Sequence, residues 1–205
     1  MVEHGSDIFN RDFLDAIRRM AYVAEYRKAN TLSHIERIRG YCFVIANRLG
    51  LPLNEAKIIS YASQLHDIGE IVLVDSLLSR NGKLTPYEWE LVKRHPTVGA
   101  EILKGSSNTI MKAGEIIALT HHERWDGTGY PQGLREEGIP LGGRICTLAD
   151  VFDALTSKRP YKEEIPPEQA LQLIQDSSGQ YFDPSLVKVF TNHFGEIIEI
   201  RRMNT

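Results

Sequence analysis

The sequence contains 205 residues, 42% of them hydrophobic and 25% charged, which is enough to bury the core of one large globular domain. Its formal net charge of -3 lacks the basic excess that nucleic acids and anionic membrane surfaces attract. No apolar run approaches the roughly 18 residues of a bilayer span, and the first residues lack the apolar segment of a signal peptide. We therefore expect a cytoplasmic protein that binds neither DNA, RNA nor a membrane.

Helical periodicity dominates the chain, whereas the segment 70–78 is ambiguous between helix and strand. Thr85 and Pro86 predict a capped helix start, because a threonine N-cap followed by proline at the first helical position is a common pair. No internal repeat or change in composition divides the chain, so we predict a single all-α domain over residues 1–205. The predicted helices cover residues 7–28, 31–49, 54–68, 86–95, 97–104, 109–122, 141–156, 167–176 and 184–200.

The two cysteines, Cys42 and Cys146, each lie within an apolar helical pattern and far from each other in sequence. This arrangement favours buried thiols in a reducing compartment over a disulfide framework.

One long loop, residues 123–140, interrupts the helical pattern and is rich in turn-forming residues. A loop of this length within a compact domain is more often functional than idle. Its glycines and prolines are Gly127, Gly129, Gly133, Gly138, Pro131 and Pro140.

Five of the seven histidines lie on predicted helices or at their ends, together with two aspartates. Imidazole and carboxylate ligands together suit Zn, Mn, Fe or Co better than Mg or Ca. His66 and Asp67 are about 100° apart around a helix axis, so both side chains can reach one pocket. The candidate metal ligands are His34, His66, Asp67, His95, His121, His122 and Asp150.

Each of these residues alone has a simpler interpretation. A lone histidine such as His34 or His95 is more often a hydrogen-bonded, partly buried side chain than a ligand. Asp150 could cap a helix or pair with Arg144, and adjacent histidines could lie on a polar helix face. Only the joint pattern distinguishes a metal site from these alternatives.

The joint pattern consists of six segments that occur in one order. They are TLSHIERI, LHDIGE, KRHPTVGAEIL, HHERWDGTGYP, IPLGGRICTLADVFDALTSKRPYK and FDPSLV. This pattern resembles the HD-GYP subgroup of the HD-domain metal-dependent phosphohydrolases, named for a His-Asp pair and a Gly-Tyr-Pro loop. The resemblance covers residues 31–187 and leaves residues 1–30 as an N-terminal helical segment. It implies an all-α HD-domain bundle with the long Gly/Pro-rich loop beside a metal site.

The resemblance implies a phosphodiesterase that hydrolyses cyclic di-GMP to linear pGpG, GMP or both, through a hydroxide that bridges two metal ions. Fe and Mn are the expected ions, with Zn, Co and Ni as alternatives, and His66 and Asp67 are the expected catalytic residues. One ion would be held by His34, His66, Asp67 and Asp150. The second ion, which Asp67 would bridge to the first, would be completed by His95, His121 and His122.

The resemblance also implies the substrate contacts. Gly129, Tyr130 and Pro131 would form the loop beside the substrate, where Tyr130 could stack on a base or pack the loop. The positions expected near the phosphates and guanines are Asp153, Arg159 and Lys162.

Two residues depart from the family pattern. Glu70 takes the place of a lysine near the substrate phosphate, where its negative charge would weaken dinucleotide binding or turnover unless it pairs with a cation or binds a metal. Asn30 takes the place of a glutamate that serves a third metal in some members, so we expect two ions per chain.

These departures leave alternatives open. The chain could be a low-activity or non-catalytic signalling module that binds the dinucleotide or a protein, or a related phosphohydrolase acting on another nucleotide. The Gly-Tyr-Pro loop favours a cyclic dinucleotide over another nucleotide. Regulation by a sensor domain, a receiver domain or a GGDEF-type partner, and the oligomeric state, are left open by the sequence.

Overall fold

The computed structural model describes residues 8–27, 31–74, 77, 84–158 and 164–204. These residues are mostly helical, and across them no strand forms, so the prediction of an all-α protein is confirmed. The helices are α1 (Arg11–Glu25), α2 (Thr31–Arg48), α3 (Leu53–Ser63), α4 (Pro86–Val92), α5 (His95–Leu103), α6 (Thr109–Thr120), α7 (Leu141–Thr156), α8 (Pro167–Asp176), α9 (Pro184–Asn192) and α10 (Phe194–Met203). Two short 3₁₀ helices cover Ile68–Val72 and Glu136–Gly138.

Local sequence signals account for several helix boundaries. The observed bounds of α7 and α8 match the predicted ranges. At the start of α4, the Thr85 hydroxyl oxygen accepts a hydrogen bond from the Glu88 amide, and the Glu88 carboxylate accepts one from the Thr85 amide. This reciprocal capping box satisfies two amides that have no partner within the helix.

The predicted helix over residues 54–68 ends earlier, at Ser63. After it, the amides of Gln64, Leu65 and His66 donate to carbonyls three residues earlier, so the chain tightens into turns. The 3₁₀ helix Ile68–Val72 follows and occupies the start of the ambiguous segment 70–78, part of which lies outside the described residues. The turns therefore give His66 and Asp67 orientations that a continuous α-helix would not.

Other boundaries also differ from the prediction. α4 ends at Val92 and not at residue 95, α5 covers His95–Leu103 and not 97–104, and α6 ends at Thr120 and not at residue 122. The first helix covers Arg11–Glu25 within the predicted range 7–28, and it is capped by Asn10. The predicted helix over residues 184–200 is two helices, because the backbone at His193 leaves the helical region and ends α9 there.

The core is formed around α2 and α7, which pack against each other. α2 also contacts α3 and α10, and α6 packs against α3, α5 and α7. Cys42 and Cys146 are both free and fully buried, as predicted for thiols in apolar patterns. Within the described ranges, no helix has the length and apolar character needed to cross a membrane.

Candidate metal centre

Four predicted ligands converge where α5 and α6 meet the turn after α3. One ligand atom from each of Asp67, His95, His121 and His122 lies within 4.8 Å of the others, and we call these residues the first cluster. Asp67 Oδ1 is 3.3 Å from His95 Nε2 and 3.3 Å from His121 Nε2. The first cluster therefore offers one carboxylate and three imidazoles to a single point.

Backbone carbonyls orient three of the histidine rings. His66 Nδ1 is 2.9 Å from the Ser63 oxygen, and His95 Nδ1 is 2.7 Å from the Val92 oxygen. His121 Nδ1 is likewise 2.9 Å from a carbonyl oxygen on α6. Because a carbonyl can only accept, each Nδ1 carries the proton and leaves the lone pair on Nε2, the atom that faces the cluster.

Burial keeps two imidazoles of the first cluster, His121 and His122, neutral. Burial lowers the pKa of His121 despite the opposing effect of Asp67, and burial together with the neighbouring His121 lowers the pKa of His122 well below its usual value. Neutral imidazole is the form that binds metal ions. His121 and His122 are thus in the protonation state that metal binding requires.

His66 connects this cluster to a second group of residues. Its Nε2 is fully buried and has no hydrogen-bond partner. This nitrogen lies 3.5 Å from Asp67 Oδ2 and 3.9 Å from Asp150 Oδ1. A buried ring nitrogen without a partner is costly unless it binds something, so the residues fit a cation between His66 and the two carboxylates.

The second group joins His66 to His34 and Glu25. Ligand atoms of Glu25, His34 and His66 lie within 4.8 Å of one another, and we call these residues the second cluster. His34 Nε2 is 3.7 Å from Glu25 Oε2. The structure thus brings six of the seven predicted ligands into two adjacent clusters, with Asp150 beside His66, and places Glu25, which sequence reasoning missed, in the second cluster.

A signal for Glu25 does exist in the sequence. Ile17, Ala21 and Ala24 form the buried stripe of α1, and Glu25 lies on the same stripe, four residues after Ala21, with only 1% of its surface exposed. Acidic residues are seldom fully buried unless they are paired or bind a metal. A charged residue at a core position of an amphipathic helix could therefore have marked Glu25 as a candidate.

Asp153, predicted to lie near the substrate, is buried and contacts two basic side chains. Arg37 donates to both of its oxygens, over 2.6 and 2.9 Å, and His34 Nδ1 lies 2.8 Å from Oδ2. Burial would raise the pKa of Asp153, but the hydrogen bonds from Arg37 and His34 hold it below its usual range. These contacts orient His34, while the predicted substrate contact of Asp153 stays a prediction.

His34 lies between two carboxylates. Its burial opposes protonation, but the hydrogen bond to Asp153 and the charges of Glu25 and Asp153 raise the pKa of His34 to about 9. In the absence of a metal, the second cluster therefore holds a proton on His34, in contrast with the neutral His121 and His122.

The Gly-Tyr-Pro loop packs directly on the first cluster. The Tyr130 ring stacks on His122, with centroids 4.7 Å apart and planes at 19°, and Trp89 meets Tyr130 edge-on at 5.9 Å. The Tyr130 amide donates to the His122 carbonyl over 3.1 Å. A side chain at Gly129 would place Cβ only 2.4 Å from the Arg124 nitrogen, so this close approach requires glycine. The loop therefore lies beside the site, as predicted.

Glu123 anchors this loop and was not singled out from the sequence. Its carboxylate is buried and accepts hydrogen bonds from the amides of Gln132 and Leu134, over 2.7 and 3.1 Å. Two amides bound by one carboxylate hold the residues that follow Pro131 against the start of the loop.

Glu70 lies on the 3₁₀ helix that follows the His-Asp pair, and it is buried. Burial lowers the pKa of His95, but the hydrogen bond and charge of Asp67, followed by the charge of Glu70, raise it above the usual value. Glu70 therefore lies close enough to the first cluster to influence the pKa of His95. Arg159, Lys162 and Asn30 lie outside the described residues.

Gly69 explains how α5 approaches the His-Asp pair so closely. A Cβ at this position would lie 2.0 Å from the His95 carbonyl oxygen and 2.5 Å from the Gly99 nitrogen. Only glycine allows this contact, which brings His95 at the start of α5 next to Asp67.

Comparison with known proteins gives a consistent assignment. A family model described as an HD domain matches residues 18–186. The response regulator RpfG of Xanthomonas campestris pv. campestris, a cyclic di-GMP phosphodiesterase, is 46% identical over 84% of this chain and 46% of its own length. A cyclic di-GMP phosphodiesterase of Thermotoga maritima is 42% identical over 93% of this chain and 52% of its own. The 3'3'-cGAMP-specific phosphodiesterase 2 of Vibrio cholerae is 41% identical over 91% of this chain and 36% of its own length.

The chain thus spans between 36% and 52% of the length of these relatives. Among solved structures, the Vibrio cholerae cyclic GMP-AMP-specific phosphodiesterase V-cGAP3 matches with a TM-score of 0.66 at 21% identity, over 93% of this chain and 52% of that one. A Bdellovibrio bacteriovorus protein of the HD-GYP type, Bd1817, matches with a TM-score of 0.62 at 18% identity, over 92% and 66%. These structures share the helical fold, and the family match and the ordered motifs show that the chain belongs to the HD-domain family, in its HD-GYP subgroup.

Proposed function

We propose that the chain hydrolyses a phosphodiester bond of a cyclic dinucleotide, with cyclic di-GMP as the first candidate substrate. The observation that carries this proposal is the position of Asp67 between two sets of histidines. Its Oδ1 faces His95 and His121, and its Oδ2 faces His66. A carboxylate placed in this way suits a bridge between two ions.

The donor set agrees with two transition-metal ions. The first would be held by Asp67, His95, His121 and His122. The second would be held by His34, His66, Asp67 and Asp150. When bound, the ions would activate water and stabilise the negative charge that develops on the phosphoryl group. Fe and Mn suit this mixture of imidazole and carboxylate ligands.

Backbone groups of the chain orient the imidazole rings that would bind the ions. The carbonyls behind His66 and His95 fix each ring so that Nε2 faces Asp67, which limits the rearrangement needed for metal binding. Asp67, His95 and His121 are buried and His122 is partly buried, so electrostatic interactions with a phosphate would be stronger there than in solvent.

The aromatic residues of the loop suit a purine ligand. Tyr130 packs on His122, and Trp89, which is 44% exposed, extends this aromatic surface towards solvent. Bases stack on such surfaces with little dependence on sequence. Cyclic di-GMP and 3'3'-cGAMP, named for different relatives, share the purine rings and phosphodiesters that these residues would contact.

A second candidate function is a signalling module that binds the dinucleotide but turns it over slowly. The observation that favours it is Glu70, whose charge lies close enough to the first cluster to influence His95. A carboxylate there would repel a substrate phosphate.

The test is incubation of Mn- or Fe-loaded protein with cyclic di-GMP, 3'3'-cGAMP and cyclic di-AMP in parallel, with products separated by chromatography. Linear pGpG or GMP from cyclic di-GMP, absent with Asp67→Ala, would support hydrolysis. Cleavage of 3'3'-cGAMP alone would identify 3'3'-cGAMP, and not cyclic di-GMP, as the substrate. Binding of a dinucleotide by fully metal-loaded protein without any cleavage would favour the signalling module instead.

A further inference from the structure

We infer that Glu25, at the end of α1, is a metal ligand that completes the second ion position together with His34 and His66. This inference rests on the proposed metal-dependent function and extends its ligand set to the N-terminal helix, outside the segment 31–187 that carries the motifs. Its basis is the second cluster, in which Glu25, His34 and His66 offer three ligand atoms within 4.8 Å of one another.

The orientation of His34 is the first argument. Its Nδ1 is 2.8 Å from Asp153 Oδ2, and Asp153 is in turn held by Arg37. A carboxylate that binds the far nitrogen of an imidazole is the usual support of a metal-binding histidine. The other nitrogen, Nε2, faces Glu25.

The separation between His34 and Glu25 is the second argument. His34 Nε2 and Glu25 Oε2 are 3.7 Å apart, which is too far for a hydrogen bond. Ligand atoms that lie about 2.0–2.2 Å from one shared ion are separated from each other by roughly 3–3.5 Å. A small contraction around an ion would bring these two atoms to that spacing.

His66 supplies the third argument. Its Nε2 is fully buried, has no hydrogen-bond partner and points into the second cluster. Its Nδ1 is already occupied by the Ser63 carbonyl. A cation between His66 and Glu25 would satisfy this nitrogen, whereas a proton shared only by Glu25 and His34 would not.

The backbone around Glu25 is held against the His-Asp turn. The Thr31 hydroxyl donates to the Glu25 carbonyl over 2.8 Å. The Arg27 guanidinium donates to the carbonyls of Glu70 and Leu73, which links the end of α1 to the 3₁₀ helix after Asp67. These contacts fix the end of α1 beside the centre, so the carboxylate of Glu25 reaches the second cluster from a defined position.

The experiment compares metal content in wild-type protein, Glu25→Gln and a matched control, Asp183→Asn. Both variants neutralise a buried carboxylate while keeping its shape, but Asp183 caps α9 and pairs with Arg144, outside both clusters. Each protein is saturated with Mn²⁺, dialysed and analysed for metal per chain, and circular dichroism verifies folding. We expect two ions in wild type and in Asp183→Asn, and one in Glu25→Gln.

Retention of both ions by folded Glu25→Gln would overturn the inference, because the carboxylate of Glu25 would then not be needed to hold the second ion. A second measurement needs no variant. In Mn²⁺ crystals of the wild-type protein, an anomalous peak about 2.0–2.4 Å from a Glu25 oxygen supports ligation, and a second-cluster peak without that contact contradicts it. Neither readout uses a nucleotide, so a protein that cleaves no dinucleotide yet loses one ion in Glu25→Gln would overturn the proposed function and keep this inference.

Discussion

The two clusters differ in how their histidines are held. In the first cluster, His95 and His121 are oriented by backbone carbonyls, and the pKa of His121 is lowered by burial. In the second, His34 is oriented by the carboxylate of Asp153, and its pKa is raised to about 9. In the first cluster, nearby backbone carbonyls therefore orient His95 and His121, whereas in the second only His66 is held in that way and His34 depends on a charge from a distant part of the chain. Variants that affect both clusters, one cluster or neither can test this difference.

Replacement of the shared residue should have the largest effect. Asp67→Ala removes the carboxylate that faces both clusters, so we expect loss of both ions and of all hydrolysis. Elemental analysis and a cyclic di-GMP assay measure the two losses. Full metal content in Asp67→Ala would show that Asp67 is not a ligand shared by the two ions.

Asp153→Asn should affect mainly the second cluster. Loss of the charge that holds His34 should weaken metal binding there by about 10- to 100-fold, while the ion at the first cluster is retained. Because Arg37 would lose a buried ionic partner, the free energy of unfolding should fall by about 3 kcal/mol. Mn²⁺ titration and chemical denaturation measure these effects.

The same variant tests the substrate contact predicted for Asp153. A rise in KM for cyclic di-GMP, with metal affinity and stability unchanged, would show that Asp153 contacts substrate and does not support His34.

Glu70→Lys should change cyclic di-GMP binding near the first cluster by reversing the charge of this side chain. Reversal of the repulsion should improve cyclic di-GMP affinity or turnover by about tenfold, equivalent to about 1.4 kcal/mol. Glu70→Gln is the matched control, since it removes the charge at nearly constant shape and should produce a smaller gain. Loss of metal together with activity in both variants would instead identify Glu70 as a ligand.

Loss of the Tyr130 hydroxyl should have the smallest effect, because the side chain meets the first cluster by packing its ring on His122. Tyr130→Phe should leave metal content and turnover close to wild type. Tyr130→Ala should keep both ions and raise KM for cyclic di-GMP, with a stacking loss of about 1–3 kcal/mol. An unchanged KM in Tyr130→Ala would show that the ring only packs the loop.

Local signals in the sequence predicted much of the fold. The bounds of α7 and α8 follow from periodicity and prolines, and the start of α4 follows from Thr85 and Pro86. The early end of α3 at Ser63 was not predicted. The turns that follow it suit the close approach of α5 to Gly69, and the local sequence pattern does not encode this long-range contact. The break at His193 was missed because the apolar pattern continues across it.

The candidate site was predictable to the extent that motifs mark its residues. The histidines and aspartates came from their order along the chain, and the structure brings them together. The pairing of Arg37 with Asp153 joins residues 116 positions apart, and no local pattern encodes such a contact. The contacts of Glu25 are also long-range, since helix periodicity places Glu25 in the core but does not indicate which side chains it contacts.

The central claim is that hydrolysis depends on ions bound at the site centred on Asp67. The most direct measurement strips metal from wild-type protein with a chelator, restores Mn²⁺ or Fe²⁺ stepwise, and records cyclic di-GMP cleavage together with metal per chain. We predict no cleavage in stripped protein and recovery that is complete only when two ions are bound. Cleavage by metal-free protein, or a chain with two bound ions that cleaves no cyclic dinucleotide, would contradict the account.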